Sequence, residues 1–188
     1  MGSPRLHITG ASCSGVTTLG RALADKLGVQ QVDVDGFYWM PTDPPFTTKR
    51  PPEERVRLIR QELPEKGWLL TGSLMGWGDA LIKNVSMIVF VDTPTSIRMT
   101  RLKNRETERY GDRIKSGGDM FEIHTAFHQW ALQYDDPTFS GRNRAKHETW
   151  LTVQEAPILC LDGTSTVSHL VSLVIQALSE VAPPEGCS

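Results

Sequence analysis

The 188-residue chain has little cysteine, no excess of either charge and no long apolar run, and each shortage closes off a class of protein. Three cysteines, Cys13, Cys160 and Cys187, are too few and too widely spaced for a disulfide framework or a paired-cysteine zinc site, and they suit a reducing cytoplasm. Lys plus Arg number 20 against 22 Asp plus Glu, so no sequence-wide field draws the chain to nucleic acid or to an anionic membrane, and any anion site must be local. No apolar stretch approaches the length of a membrane span, and the N-terminus lacks the basic start, apolar run and cleavage site of a secretory signal. Neither membrane insertion nor secretion is expected, and there is no internal repeat or low-complexity segment.

What is present is an alternation of two periodicities. Short apolar runs at Leu6–Thr9, Gln31–Val34, Trp68–Thr71, Met87–Val91 and Ile158–Leu161 predict five strands. Helical spacing predicts helices over Thr17–Leu27, Glu53–Leu63, Thr95–Arg109, Asp119–Tyr134 and Thr166–Val181. This is an α/β order, and a run such as Met87-Ile88-Val89-Phe90-Val91, which has no polar face, suits a parallel sheet covered on both sides by crossover helices. Two stretches break the alternation. Phe37–Pro52 holds five prolines among four aromatic residues and reads as an ordered loop. Thr95–Trp150 carries three helical patterns without a strand and reads as a helical excursion above the sheet. The tail 182–188, with Pro183, Pro184 and Gly186, reads as frayed.

The most informative segment is Leu6-His7-Ile8-Thr9-Gly10-Ala11-Ser12-Cys13-Ser14-Gly15-Val16-Thr17-Thr18-Leu19-Gly20, a strand, a turn of small residues and an amphipathic helix. It meets G-x-x-x-x-G-K-[ST] at every position but one. Gly10 and Gly15 are expected to take the positive φ values that turn backbone N–H groups inward, and the helix that follows adds its positive end, so residues 10–18 form an anion cradle. Val16 stands at the lysine position. The backbone cradle survives that loss, but a charge-assisted hydrogen bond is worth about 1.5–3 kcal/mol, so another cation must serve if the chain does chemistry.

On these residues the chain resembles P-loop kinases of the adenylate kinase and shikimate kinase type. The resemblance rests on Gly10–Thr17, Asp33-Val34-Asp35, Val89-Phe90-Val91-Asp92-Thr93-Pro94 and Leu161-Asp162-Gly163-Thr164, in that order along the chain. It implies a P-loop fold with a five-stranded parallel sheet, ATP and Mg²⁺ as cofactors, Thr17 as a magnesium ligand, and a mobile helical lid bearing arginines. It leaves the acceptor open. Residues 1–181 then form one unit, with 36–66 on the acceptor side and 95–152 as the lid-like region.

The remaining roles have several candidates. Asp33 and Asp35, two apart at a strand end, are expected on one face, where they suit a shared metal or an acceptor hydroxyl, with Asp35 joining Thr17 at the metal; capping of the Asp35-Gly36 turn is the bland alternative. Arg98, Arg101, Arg105, Arg109 and Arg113 recur along one helix side and can reach phosphates or form a solvated face. Arg142, Arg144 and Lys146 form a second basic group. Arg101, Arg105 and Arg142 are the favoured lysine substitutes. Asp79 is a further acid near the third strand, Lys49 and Arg50 are possible anchors for an anionic acceptor, and the rings of Phe37, Tyr38, Trp39 and Phe46 either overhang the acceptor or plug the sheet edge. His124 and His128, one turn apart, read as structural, and Cys13 as small rather than reactive. The sequence therefore supports ATP-dependent phosphoryl transfer to a small-molecule acceptor, with a catalytically weak nucleotide sensor as the alternative and a nucleotide-gated docking module behind it.

Overall fold

Strand β4 (Met87–Asp92) is buried at each of its first five positions, as its unbroken apolar run requires. In the computed structural model, which describes residues 3–181, it lies between β1 (Arg5–Gly10) and β5 (Ile158–Asp162). The sheet is completed by β3 (Trp68–Thr71) and β2 (Gln30–Asp33), giving the order β2-β3-β1-β4-β5 with every pair parallel. The predicted strands are all there, displaced by no more than a residue at either end. The fold is a P-loop kinase-type α/β sheet, and the tail 182–188 lies outside the described residues.

Two apolar layers sandwich this sheet, as the two-fold alternation of side chains along a strand demands. On one side Leu6, Ile8, Leu69, Val89 and Val91 pack against Leu19 and Leu23 of α1 (Val16–Leu27) and Leu170 and Val174 of α7 (Val167–Val181). On the other, Val32, Leu70, Ile88 and Phe90 meet Ile59 of α3 (Pro52–Glu62) and Trp150 and Leu151 of α6 (Arg144–Thr152). Between β4 and β5 the chain makes α4 (Thr95–Tyr110), α5 (Phe121–Leu132) and α6 with short 3-10 turns and no strand, as the arginine-rich stretch predicted. The expected helix over Asp119–Tyr134 is shorter, because its end tightens into a 3-10 turn at Gln133–Asp135. The single turn α2 (Asp35–Tyr38) escapes the apolar pattern, because it is too short to show a period.

The second face of β1 is polar where it is most deeply buried. His7 Nδ1 lies 3.1 Å from the Leu70 carbonyl, which can only accept, so Nδ1 carries the hydrogen and Nε2 is a bare acceptor without a partner. One strand position further, Thr9 Oγ1 is 3.1 Å from Nε2 of His147, whose Nδ1 is 3.0 Å from the Tyr134 hydroxyl. Burial holds His7 down to about 4 and His147 to about 3, with Arg142 the largest charged contributor at His147.

These histidines make stability pH-dependent in a definite direction. In the unfolded chain they titrate near the ordinary 6.5, while in the folded chain they stay neutral, so their contribution is fully present above pH 6.5 and is lost as the pH falls toward about 4. Urea unfolding between pH 7.5 and 5 is expected to show a loss of about 1.4 kcal/mol per histidine for each pH unit below 6.5. The His147→Gln variant, which keeps polar atoms but does not titrate, is expected to show about half that slope; an unchanged slope would contradict this assignment.

Candidate functional site

At the carboxyl end of β1 the chain turns through residues 11–15 into α1, and the turn is a cradle built from backbone. Cys13 has φ 64° and Gly15 φ 110°, and left-handed residues alternating with ordinary ones gather successive N–H groups on the concave side. Gly15 caps α1 with no side-chain hydrogen bond, so the N–H groups of the first turn are left for an anion. The buried hydroxyl of Ser14 also lacks a partner. One expectation is corrected. Gly15 and Cys13, not Gly10, carry the left-handed backbone. Gly10 is needed because a Cβ there would stand 2.5 Å from both the Val91 carbonyl oxygen and Ser14 Oγ.

Val16, at the lysine position, is only 8% exposed and belongs to the apolar layer with Leu19, Val91 and Leu161. Cations reach the cradle from other elements instead. Arg101 of α4 donates from Nη1 to the Ser14 carbonyl (3.1 Å) and from Nη2 to the Gly163 carbonyl (2.9 Å). Arg105, one turn later, faces the cleft while its Nε and Nη2 rest on Glu106 Oε1 at 3.2 and 3.0 Å. Arg142 comes from the loop before α6, lies over the Trp130 ring at 5.3 Å and donates from Nη2 to Ser12 Oγ at 3.1 Å.

The other members of the arginine stripe do different things. Arg98 has no exposed surface and braces the cradle from behind, donating to the carbonyls of Thr93 (3.1 Å), Ser12 (3.4 Å) and Ala131 (3.4 Å) above the Tyr134 ring. Arg109 stands exposed at the cleft rim, and Arg113 leaves the cleft for Asp119 and Asp43. Of the second basic group, only Arg142 lines the cleft. Arg144 grips Asp92 with two hydrogen bonds of 2.8 and 2.7 Å, and the Lys146 ammonium donates to three carbonyls of its own loop.

Asp33 and Asp35 both line the cleft, though not by strand alternation, because β2 ends at Asp33 and Asp35 opens α2. Asp33 Oδ2 accepts from the Thr17 hydroxyl at 2.9 Å and Oδ1 from the Asp35 amide at 3.1 Å, so this carboxylate is turn cap and cradle contact at once. Asp35 is open to solvent yet surrounded by the walls of the cleft, and that enclosure, followed by the neighbouring Asp33 charge, raises its pKa above the carboxylate range. Arg142 and Arg105 pull it partly back. Asp79 does not line the cleft, and its Oδ1 accepts from the Trp150 indole at 2.9 Å.

The aromatic loop folds into a hairpin bridged at Trp39 and Lys49. Tyr38, Trp39, Phe46 and Trp77 pack edge to face, and Arg55 sits on Tyr38 at 3.8 Å. Arg50 is a staple of this hairpin rather than an anion anchor, donating to the Phe37 carbonyl and pairing with Glu54. Phe127 of α5 is the aromatic residue that lines the cleft. In the sequence it shares helical spacing with Met120, Ile123, Trp130 and Tyr134, and nothing separates it from those neighbours. The rings of His124 and His128 lie 6.3 Å apart and tilted by 49°, and among the described residues no group of three His, Cys, Asp or Glu side chains is arranged to hold a metal.

The result is one cleft of about 610 Å³ that joins residues 10–19 with Asp33, Asp35, Gly72, Ser73 and the arginines Arg21, Arg101, Arg105, Arg109 and Arg142. Its architecture is that of the P-loop kinases. The fold is similar to shikimate kinase from Bacteroides thetaiotaomicron (TM-score 0.58, 18% identity, 94% of this chain and 98% of that one) and to a gluconokinase from Sinorhizobium meliloti 1021 (TM-score 0.54, 14% identity, 96% and 93%). Residues 7–125 match the AAA domain profile, and the chain belongs to that family. It is also 37% identical over 175 residues to the Uncharacterized protein YqaC of Bacillus subtilis (strain 168), covering 93% of this chain and 97% of that protein.

The cradle's dependence on close approach is open to measurement. Gly10→Ala is expected to lower the unfolding free energy by about 1–3 kcal/mol, because the Val91 carbonyl cannot move without breaking the sheet. Gly36→Ala, where no atom lies within 4 Å of the added methyl, is expected within about 0.5 kcal/mol of the parent. Equal effects in chemical denaturation would rule out the packing explanation.

Proposed function

We propose that the chain is a cytoplasmic ATP-dependent small-molecule kinase that transfers a phosphoryl group from Mg-ATP to a nucleotide or small metabolite. The observation that carries this reading is the convergence, in one cleft, of an uncapped backbone cradle, two carboxylates and five arginines, among them Arg101, Arg105 and Arg142. In it the turn made by Gly10, Ala11, Ser12, Cys13, Ser14, Gly15, Val16, Thr17 and Thr18 holds the polyphosphate through those of its amides that the fold leaves free. The donor set suits magnesium, which takes few protein oxygens and keeps water and phosphate as its other ligands, and Thr17 with Asp35 would hold it. Held there, the ion would supply charge neutralisation for the phosphates. Asp33 fixes the Thr17 hydroxyl, and Asp35, on the cleft wall beside it, is placed to accept a proton from an acceptor hydroxyl. Arg101, Arg105 and Arg142 together provide the positive charge that a P-loop lysine supplies elsewhere. In this reading 1–181 is one unit, 36–66 borders the acceptor and 95–152 closes over the phosphates.

One observation favours the weaker reading, a nucleotide sensor. Val16 is packed in the core and both terminal nitrogens of Arg101 are engaged by backbone carbonyls, which leaves less mobile charge than a lysine would offer. Thermal shift with Mg-ATP, Mg-GTP and ADP, run beside transfer assays on nucleotides, sugars and shikimate-like acids, separates the two. Turnover on at least one acceptor is expected; stabilisation with no turnover anywhere on the panel would establish the sensor. With arginines filling the role, Val16→Lys is expected to leave turnover unchanged or lower it, and a gain of roughly 10³-fold, the scale of a missing transition-state cation, would contradict the arginine assignment.

A further inference from the structure

The arginines around the cradle differ in what holds them. Arg98 and Arg101 are engaged by main-chain carbonyls, and Arg105 rests on Glu106. Arg142 is different: within the described residues no carboxylate lies within ion-pair distance of it, its hydrogen bond goes to the neutral Ser12 hydroxyl, and its buried Nε has no partner. Its nearest opposing charge is Asp35 across the cleft, which it stabilises without a direct ion pair, so an enclosed guanidinium is left only partly compensated and a phosphate could complete the match.

The loop that delivers Arg142 is tied down with unusual density. The fully buried Asn143 donates to the carbonyls of Pro137 (3.3 Å) and Phe139 (2.9 Å) and accepts from the Lys146 amide (2.8 Å). The Lys146 ammonium then donates to the carbonyls of Phe139, Ser140 and Gly141 at 3.0, 2.6 and 3.0 Å. All three donors of an exposed lysine are thus used to turn successive carbonyls outward immediately before Arg142. Gly141 is pressed onto the Trp130 indole, where a Cβ would stand 2.9 Å from Nε1, and Arg142 lies over that same ring. Such a clamp does little for the core, since Lys146 and the 139–141 carbonyls lie at the surface.

We infer that Arg142 is the cation that replaces the P-loop lysine at the terminal phosphoryl group, and that Lys146 is its positioning residue, acting through the 139–141 loop without touching the ligand. This rests on the reading that the cradle binds a nucleoside triphosphate. Its substance is that the charge lost at position 16 has moved to another element, with a second lysine retained to aim it.

The test uses the full chain and calorimetric affinities for ADP and for a non-hydrolysable ATP analogue, both with Mg²⁺, so it does not depend on finding the acceptor. Arg142→Ala is expected to weaken the analogue roughly ten- to a hundredfold and ADP little, the range of a lost charge-assisted contact. Lys146→Met is expected to weaken the analogue roughly three- to tenfold, and in the Arg142→Ala background to have no further effect. Lys146→Arg, which keeps donors, is expected to restore most of the affinity, and added guanidinium ion to recover part of that lost by Arg142→Ala. Unchanged preference for the analogue in Arg142→Ala, or a Lys146→Met effect equally large with and without Arg142, overturns the assignment, as does a folded parent that binds neither nucleotide. If Lys146→Met fails to fold, Lys146→Gln takes its place in the same cycle. Loss of analogue preference with no turnover on any acceptor leaves this inference standing and removes the kinase reading; turnover with an unaltered preference does the reverse.

Discussion

A backbone turn that collects N–H groups on its inner side must send carbonyls outward, and a buried carbonyl without a donor is costly. This constraint organises the region around the cradle. The Ser14 carbonyl accepts from both the Thr93 hydroxyl (2.9 Å) and Arg101, and the Ser12 carbonyl accepts from Arg98. Thr93 follows directly on β4, and both arginines lie on α4. The strand-end segment Asp92-Thr93-Pro94 and the helix it starts therefore serve the geometry of a turn some eighty residues earlier. Asp92 itself is held by Arg144 and its carbonyl accepts from the Gly163 amide at 2.6 Å, which ties the end of β5 into the same frame.

The frame explains how the fold tolerates Val16. A lysine there would contribute charge to the cleft, but the turn's conformation is secured from outside by Thr93, Arg98 and Arg101, so an apolar residue can join the core beneath it. The exchange moves the electrostatic part of the site onto the long excursion between β4 and β5. That excursion is braced by Arg98 over the Tyr134 ring and by the Thr9–His147–Tyr134 chain of hydrogen bonds, which runs from the central strand to the base of the loop bearing Arg142. The buried polar groups of β1 thus link the sheet to the elements that supply its cations, and they stay neutral because burial disfavours imidazolium.

Much of this was legible from residue order. The five strands follow from apolar runs bounded by turn residues, and the cradle from two glycines at fixed spacing before an amphipathic helix. Reasons were harder to read than positions. Gly10 was expected to supply a positive φ, whereas close approach of Val91 and Ser14 requires it, a contact between β1 and β4 that no local pattern encodes. Asp33 and Asp35 were expected to share a strand face, but the strand ends between them. Arg98, Arg101 and Arg105 have the same spacing and chemistry along one helix. Their different employment is set by depth: the first is buried, the second reaches carbonyls, and the third finds a neighbouring carboxylate.

Local chemistry by itself determined the parallel α/β order, the anion-binding turn and the absence of its lysine, because each depends on residues adjacent in the chain or on a simple period. Tertiary structure alone decided which charges face the cleft and which are consumed in holding it. A guanidinium's role depends on the acceptors within about 3 Å of it, and around this cradle those acceptors come from residues as far apart in sequence as Ser12 and Arg142, or Ser14 and Arg101.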